Sequence, residues 1–230
     1  MGKMEQIFII GDVHGCYKTL LALIKQLPQK FDSKICFVGD LIDRGNSSAD
    51  VIELIKSQNY DCVMGNHEYR LLAYESEFIH GGKVSDERWF YMHGGEQTFK
   101  SYKDKSVDFR RSHVKFLKNL PLFLEYDLAT NDGKRLVVSH SAVGQMWWLR
   151  NSDANYADFR RHLLCGRDDT HENKDIFNVF GHTPTPTPII TRYYANIDTG
   201  CIFNNSRGNT LTALSFPDFK IYSQANIENS

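Results

Sequence analysis

The sequence lacks the features that would direct it to a membrane, a nucleic acid or an oxidising compartment. Its five cysteines, Cys16, Cys36, Cys62, Cys165 and Cys201, stand too far apart for the paired spacing of a zinc ribbon. An odd number scattered this widely reads as reduced thiols, not a disulfide framework. Charge of one sign is missing too. The 27 Lys and Arg balance 28 Asp and Glu, so no global basic field offers itself to nucleic acid or to an anionic membrane. Long apolar runs are absent. The N-terminal stretch has only four consecutive apolar residues, Ile7 to Ile10, before Gly11 and Asp12, too few for a signal-peptide core or a membrane span. Gln6 occupies the position where myristoylation prefers Ser or Thr. There is no fixed-period repeat and no long low-complexity tract. The expectation is a soluble, cytoplasmic protein without nucleic-acid or membrane partners.

What is present is ordinary globular composition: 230 residues, 41% apolar and 24% charged, enough for a single domain over 1–230 with a core that needs no covalent staples. The first third has a clear rhythm. QIFII, KICFV and YDCVM are short apolar runs that read as buried strands. They end at Gly11-Asp12, Gly39-Asp40 and Gly65-Asn66. Between them, Leu20, Leu23, Ile24 and Leu27 recur at helical spacing and stop at Pro28; Val51, Leu54 and Ile55 mark a second helix, with Ser47 and Asp50 spaced like a capping box. A third helix is expected from His67, carrying Leu71 and Leu72. The intervals Asp12 to Asp40 and Asp40 to Asn66, 28 and 26 positions, each match one strand–helix–strand unit. Asp12, Asp40 and Asn66 should therefore stand at the carboxyl ends of neighbouring parallel strands, the edge where open α/β sheets bind ligands. Val84 to Leu120 reads as helical. PLFLEYDLA and KRLVVSHS read as strands joined by a turn at Asn131-Asp132-Gly133, IFNVFGHT as another strand, and the remainder as short hairpins. The pattern predicts an α/β fold, a two-sheet sandwich with outer helices.

Five strand ends deliver polar side chains: Asp12 with His14; Asp40 with Asp43 and Arg44; Asn66 with His67; His140; and His182. Taken singly, each has a plain structural reading as turn former, helix cap or satisfied histidine. Together they make a mixed oxygen and nitrogen set suited to Mn, Fe, Zn or Co more than to calcium. More than four ligands suggest two metals, which at about 3.5–4 Å apart clamp the attacking and leaving oxygens of phosphoryl transfer. Arg44 supplies a fork matched to phosphate oxygens.

The motifs GDVHG (Gly11 to Gly15), GDLIDRG (Gly39 to Gly45) and GNHE (Gly65 to Glu68) closely resemble the signatures of the phosphoprotein phosphatase family of metallophosphoesterases. VSHS at His140, GHT at His182 and IDTG (Ile197 to Gly200) complete the order of its compact bacterial and phage members, so the resemblance runs from Ile7 to about Leu214. It implies a four-layer α-β-β-α sandwich of two mixed sheets with a dinuclear metal site at the carboxyl ends of the strands. It implies Asp12, His14, Asp40, Asn66, His140 and His182 as ligands, with Asp40 bridging, and two divalent metals, Mn expected and Fe, Zn, Co or Ni able to substitute. A bridging water would be the nucleophile. Arg44 and Arg167 would hold phosphate beside Asn66 and His67, with Arg160 and Arg161 as competitors for the Arg167 position. His67 falls outside the metal shell and acts as general acid, oriented by Asp43.

The activity implied is a metal-dependent phosphomonoesterase of the serine/threonine protein phosphatase kind, acting on a phosphorylated protein or a small phosphoester. The alternative on the same scaffold is a symmetric dinucleoside tetraphosphate hydrolase. That group usually lacks the acid before the Arg of the second motif and ends the third motif in Asp, whereas this chain has Asp43 and Glu68. A catalytically dead phosphate-binding module would have lost one of the ligands, and none is missing. His80, His93, His113 and His171 match no ligand position and read as surface or packing residues. Trp89, Phe90 and His93 could border the cleft, though an aromatic cluster near helices is more often core. Of Trp147 and Trp148, one is expected in the core. TPTPTP (Thr183 to Pro188) is read as a stiff connection after His182.

Overall fold

The structure, a computed structural model, describes residues 6–167, 172–203 and 209–228. His171 therefore lies outside the described residues, as does part of the segment before the last hairpin. Strands β1 (Ile7–Ile10), β2 (Ile35–Phe37) and β3 (Asp61–Cys62) pair in parallel, linked by α1 (Tyr17–Ile24) and α2 (Ser48–Ser57). The third strand is shorter than the apolar run YDCVM suggests: Val63 still donates its amide to Phe37 of β2, but Met64 donates to Pro121 instead. Helix α1 ends before Leu27, and Ser47 provides no side-chain cap to α2; the Ser48 hydroxyl serves the Asp43 amide instead. Helices α3 (Asn66–Leu72), α4 (Glu75–His80), α5 (Gly95–Ser101) and α6 (Val107–Lys118) follow, with a π-helical turn at Arg88–Met92.

The second sheet begins with β4 (Phe123–Ala129) and β5 (Arg135–Ser139), an antiparallel pair joined where the Asn131-Asp132-Gly133 turn was expected. After α7 (Tyr156–Cys165) come β6 (Ile176–Phe180), β7 (Ile189–Ile190) and β8 (Tyr194–Asn196). The hairpin β9 (Thr210–Phe216) and β10 (Ile221–Ala225) returns to the first sheet, antiparallel to β1. The strand orders are β10-β9-β1-β2-β3 and β4-β5-β6-β8-β7, so both sheets are mixed.

Side-chain alternation builds the layers. Ile7 and Ile9 of β1 face the second sheet and pack with Val138, Phe177, Val179 and Leu214. Phe8 and Ile10 face the other way, onto Leu20, Leu23 and Ile52 of the helices. On the far side of the second sheet, Val137 and Ile176 pack against Trp147, Phe159 and Leu163. The result is the α-β-β-α sandwich, and it explains why the central strands β1, β2 and β6 read as continuous apolar runs: each is covered on both faces. Trp147 is core and Trp148 is exposed. Among the described residues no helix is long and apolar enough to cross a membrane.

Candidate active site

Parallel strands of both sheets point their carboxyl ends at one cleft. β1, β2 and β3 deliver Asp12, Asp40 and Asn66, and β5 and β6 deliver His140 and His182. The backbone there is forced. His14, Asp40, Asp43, Arg44 and His182 all have φ between 46° and 69°, a left-handed region that non-glycine residues avoid. The surrounding structure over-determines these turns. A Cβ at Gly181 would come within 2.0 Å of Asp12 Oδ1, and one at Gly65 within 2.3 Å of the Asp40 amide, so only glycine lets the loops close on the carboxylates.

Asp40 is the hub. Its carboxylate lies 3.6 Å from His14 Nε2, 3.4 Å from His140 Nε2 and 3.8 Å from His67 Nε2, and it is buried. Burial opposes its ionisation, but any positive charge on the surrounding His140, His67, His14 and His182 rings favours the carboxylate and holds it far below the usual range. Two triads share it, His14-Asp40-His67 and Asp40-His140-His182, each with its ligand atoms within 4.8 Å of one another.

The histidine tautomers are fixed by carbonyls. A carbonyl only accepts, so His14 Nδ1 must donate to Ile42 O (2.8 Å) and His140 Nδ1 to Val38 O (2.9 Å). In the neutral rings each Nε2 is then a lone pair aimed into the cleft, the arrangement that orients metal-ligating histidines. Around His140 Nε2 gather Asn66 Oδ1 at 2.9 Å and His182 Nδ1 at 3.0 Å, while His182 Nε2 is buried without a partner. Burial pushes His14, His140 and His182 down, His182 to about 3, so all three are held neutral, the form that binds metal. This donor set fits divalent metal.

His67 differs. Burial lowers its pKa, but Asp40 and Asp43 outweigh it and the imidazole is raised. Its Nδ1 sits 2.6 Å from Asp43 Oδ2, and its Nε2 3.0 Å from Arg44. Asp43 is itself locked: Trp89 Nε1 donates to Oδ2 at 2.7 Å and Thr98 Oγ1 to Oδ1 at 2.6 Å. The Arg44 guanidinium also meets His14 Nε2 and stands over the Phe203 ring, 5.3 Å from its centroid. Trp89 is thus core, as an aromatic cluster would suggest, yet it holds a site residue.

Asp12 is buried, accepts the His182 amide, and is raised well above the usual range by burial first, then by Asp198 and Asp40. Asp198, of IDTG, is the unassigned neighbour; burial leads in pushing it up to about 6. Arg167 is exposed, but its charge acts on His140, His182 and Asp198, and it borders a cavity of about 260 Å³ together with Gly181. Of its competitors, Arg161 pairs with Asp158 and Arg160 lies over the Tyr69 ring. His113 is a satisfied core histidine between Tyr102 and Glu53. His80 and His93 are exposed, and His93 lines a groove beside His67.

Glu68 is a buried brace. Its two oxygens accept the amides of Asp40 (2.9 Å), Leu41 (2.8 Å), Ile42 (3.2 Å) and Gly65 (3.0 Å). Glu68→Ala strands four buried donors and is expected to destabilise by about 2–4 kcal/mol. In a thermal melt that is a fall of roughly 5–15 °C. A Tm within about 2 °C of wild type would mean that other groups hold these turns.

The sequence matches the calcineurin-like phosphoesterase family over residues 6–195. The chain belongs to this family. Calcineurin-like phosphoesterases are metal-dependent hydrolases, and the Asp and His groupings here accord with that chemistry. Two relatives are similar along nearly their whole length. One, from Geobacillus sp. (strain WCH70), is 29% identical over 95% of this chain and 93% of its own; the other, from Bacillus subtilis (strain 168), is 31% identical over 94% and 92%. Both are named bis(5'-nucleosyl)-tetraphosphatase PrpE [asymmetrical]. A solved structure of a candidate diadenosine tetraphosphatase superposes with a TM-score of 0.63 at 19% identity, covering 99% of this chain and 96% of that one, which fixes the phosphoesterase fold.

Proposed function

We propose that this phosphoesterase hydrolyses dinucleoside tetraphosphates asymmetrically, releasing a nucleoside triphosphate and a nucleoside monophosphate. The observation that carries the reading is the end-to-end similarity to relatives named for that reaction. The motif residues by themselves ranked a phosphomonoesterase first and a symmetric tetraphosphatase second, so the names favour the anhydride class and change the expected cut.

In this reading Asp12, His14, Asp40, Asn66, His140 and His182 hold two divalent metals, with manganese the expected ion. The metals, when bound, supply positive charge that neutralises phosphate oxygens and makes water more acidic. Arg44, within hydrogen-bond range of His14 and His67, turns its fork onto phosphate, and Arg167, which borders a cavity with Gly181, supplies a second guanidinium. Asp43 holds His67 Nδ1, and Arg44 donates to Nε2 in this structure; once Arg44 turns onto phosphate, Nε2 faces the cleft and can carry the proton. It donates that proton to the leaving oxygen. Asp43 serves as its orienting carboxylate, kept in place by Trp89 and Thr98.

The Asp43–His67 pair also keeps the monoesterase reading in view, since a donor of this kind matters most for a poor leaving group such as a serine alkoxide. The two readings separate in one assay. With manganese restored to stripped protein, kcat/KM for diadenosine tetraphosphate should exceed that for a phosphoserine peptide. The reverse order returns the chain to the protein phosphatase class.

A further inference from the structure

His67 faces a groove that none of the proposed metal and phosphate roles explains. It has a volume of about 390 Å³, within the range of small-molecule sites, and runs from His67 along α3 toward the π-helical turn. Asn66, Arg70 and Ala73 recur at helical spacing, so one face of α3 forms its floor. Trp89 and His93 rise from the opposite wall.

Two features of the lining are unusual for an idle surface. Tyr69 is 44% exposed, two residues after the acid, and the Arg160 guanidinium stands 5.5 Å from its ring centroid. Arg70 lines the groove and is exposed, its guanidinium steadied by Asp86. An exposed aromatic ring with one face toward Arg160 and the other open, next in sequence to a guanidinium that lines the groove, offers stacking for a base and charge for the phosphates attached to it.

The chemistry fixes which part of the substrate comes here. An oxygen–phosphorus bond forms to water, the bridging P–O–P bond breaks, and the departing oxygen takes the His67 proton while the attacking water loses one to solvent. The departing oxygen must therefore lie against His67 Nε2, and whatever it carries extends past His67. We propose that this groove is the leaving-nucleotide subsite, with the base on Tyr69 and the phosphate chain toward Arg70 and Arg160. The proposal rests on the anhydride reading above and on His67 as the donor.

The test compares two substrates with the same anhydride bond, diadenosine tetraphosphate and inorganic tetrapolyphosphate, which has no base. Tyr69→Ala should raise KM for the dinucleotide by about 5- to 100-fold relative to KM for the polyphosphate, with a smaller effect on kcat. Tyr69→Phe keeps the ring and should restore the wild-type ratio. The better of the two product nucleotides as an inhibitor should weaken in parallel in Tyr69→Ala. An equal rise for both substrates, or no rise, overturns the subsite while leaving the anhydride reading intact. Wild-type protein that cleaves no dinucleotide but dephosphorylates a peptide overturns both.

Discussion

Replacing His67 by Asn is expected to lower kcat by about 10²–10⁴-fold toward a monoester with a poor leaving group, and to leave metal content unchanged. The loss should be smaller for diadenosine tetraphosphate, whose leaving nucleotide is a phosphate with a pKa of about 6 and needs its proton less. The expectation follows from two contacts. His67 Nδ1 is committed to Asp43 at 2.6 Å, which leaves Nε2 as the working atom. His67 also stands 3.8 Å from Asp40, close enough to belong to a triad with His14 and Asp40. Proximity alone would make it a ligand. What separates it is charge. His14, His140 and His182 are held neutral by burial, whereas His67 is raised by two carboxylates. Elemental analysis decides: retained metal with lost turnover makes it the acid, and loss of metal from the variant makes it a ligand.

Asp40→Asn is expected to act at the opposite pole, removing metal and rate together. Asp40 is the carboxylate shared by both triads and sits among four imidazoles. Its removal takes away the anionic oxygen that would bind both ions. Metals held there would supply several kcal/mol of charge stabilisation in the transition state, and each 1.36 kcal/mol is tenfold in rate, so turnover should fall at least about 10³-fold. Stability should respond in a way that distinguishes ligand loss from misfolding. Metal at about 100 times its Kd stabilises the native state by about 2.7 kcal/mol. Chelator should therefore lower the Tm of wild type and leave Asp40→Asn unmoved. A variant that still gains several degrees from manganese would show that Asp40 is dispensable for binding.

The centre of the fold was legible because its signal is local. Asp12, Asp40 and Asn66 each follow a short apolar run and a glycine, and the structure puts all three at parallel strand ends. His182 has the same signal in the second sheet, and His140 follows an apolar run that ends in Ser139. Other parts of the site carry no local mark. Trp89 and Thr98 reach Asp43 from 46 and 55 positions away, and nothing in the stretch from Trp89 to Phe99 announces that two of its side chains brace Asp43. Glu68 was useful for sorting families, yet its work as acceptor for four backbone amides appears only once the β2 and α3 turns meet. Ser47 misled because an N-cap sequence pattern does not fix which hydroxyl is used when a nearby strained turn has an amide in need of an acceptor. The class of leaving group left no such mark, and it is the relatives' names that favour the anhydride. Asp43 and Glu68 touch His67 and the backbone turns, whereas Tyr69 and Arg70, which line the groove beside His67, carry no motif of their own.

The most direct test of the central reading is the identity of the products. Manganese-loaded protein incubated with diadenosine tetraphosphate, sampled at early times and resolved by anion-exchange chromatography, should yield ATP and AMP in equal amounts. Two equivalents of ADP, or intact dinucleotide alongside rapid release of phosphate from a phosphoserine peptide, would contradict it.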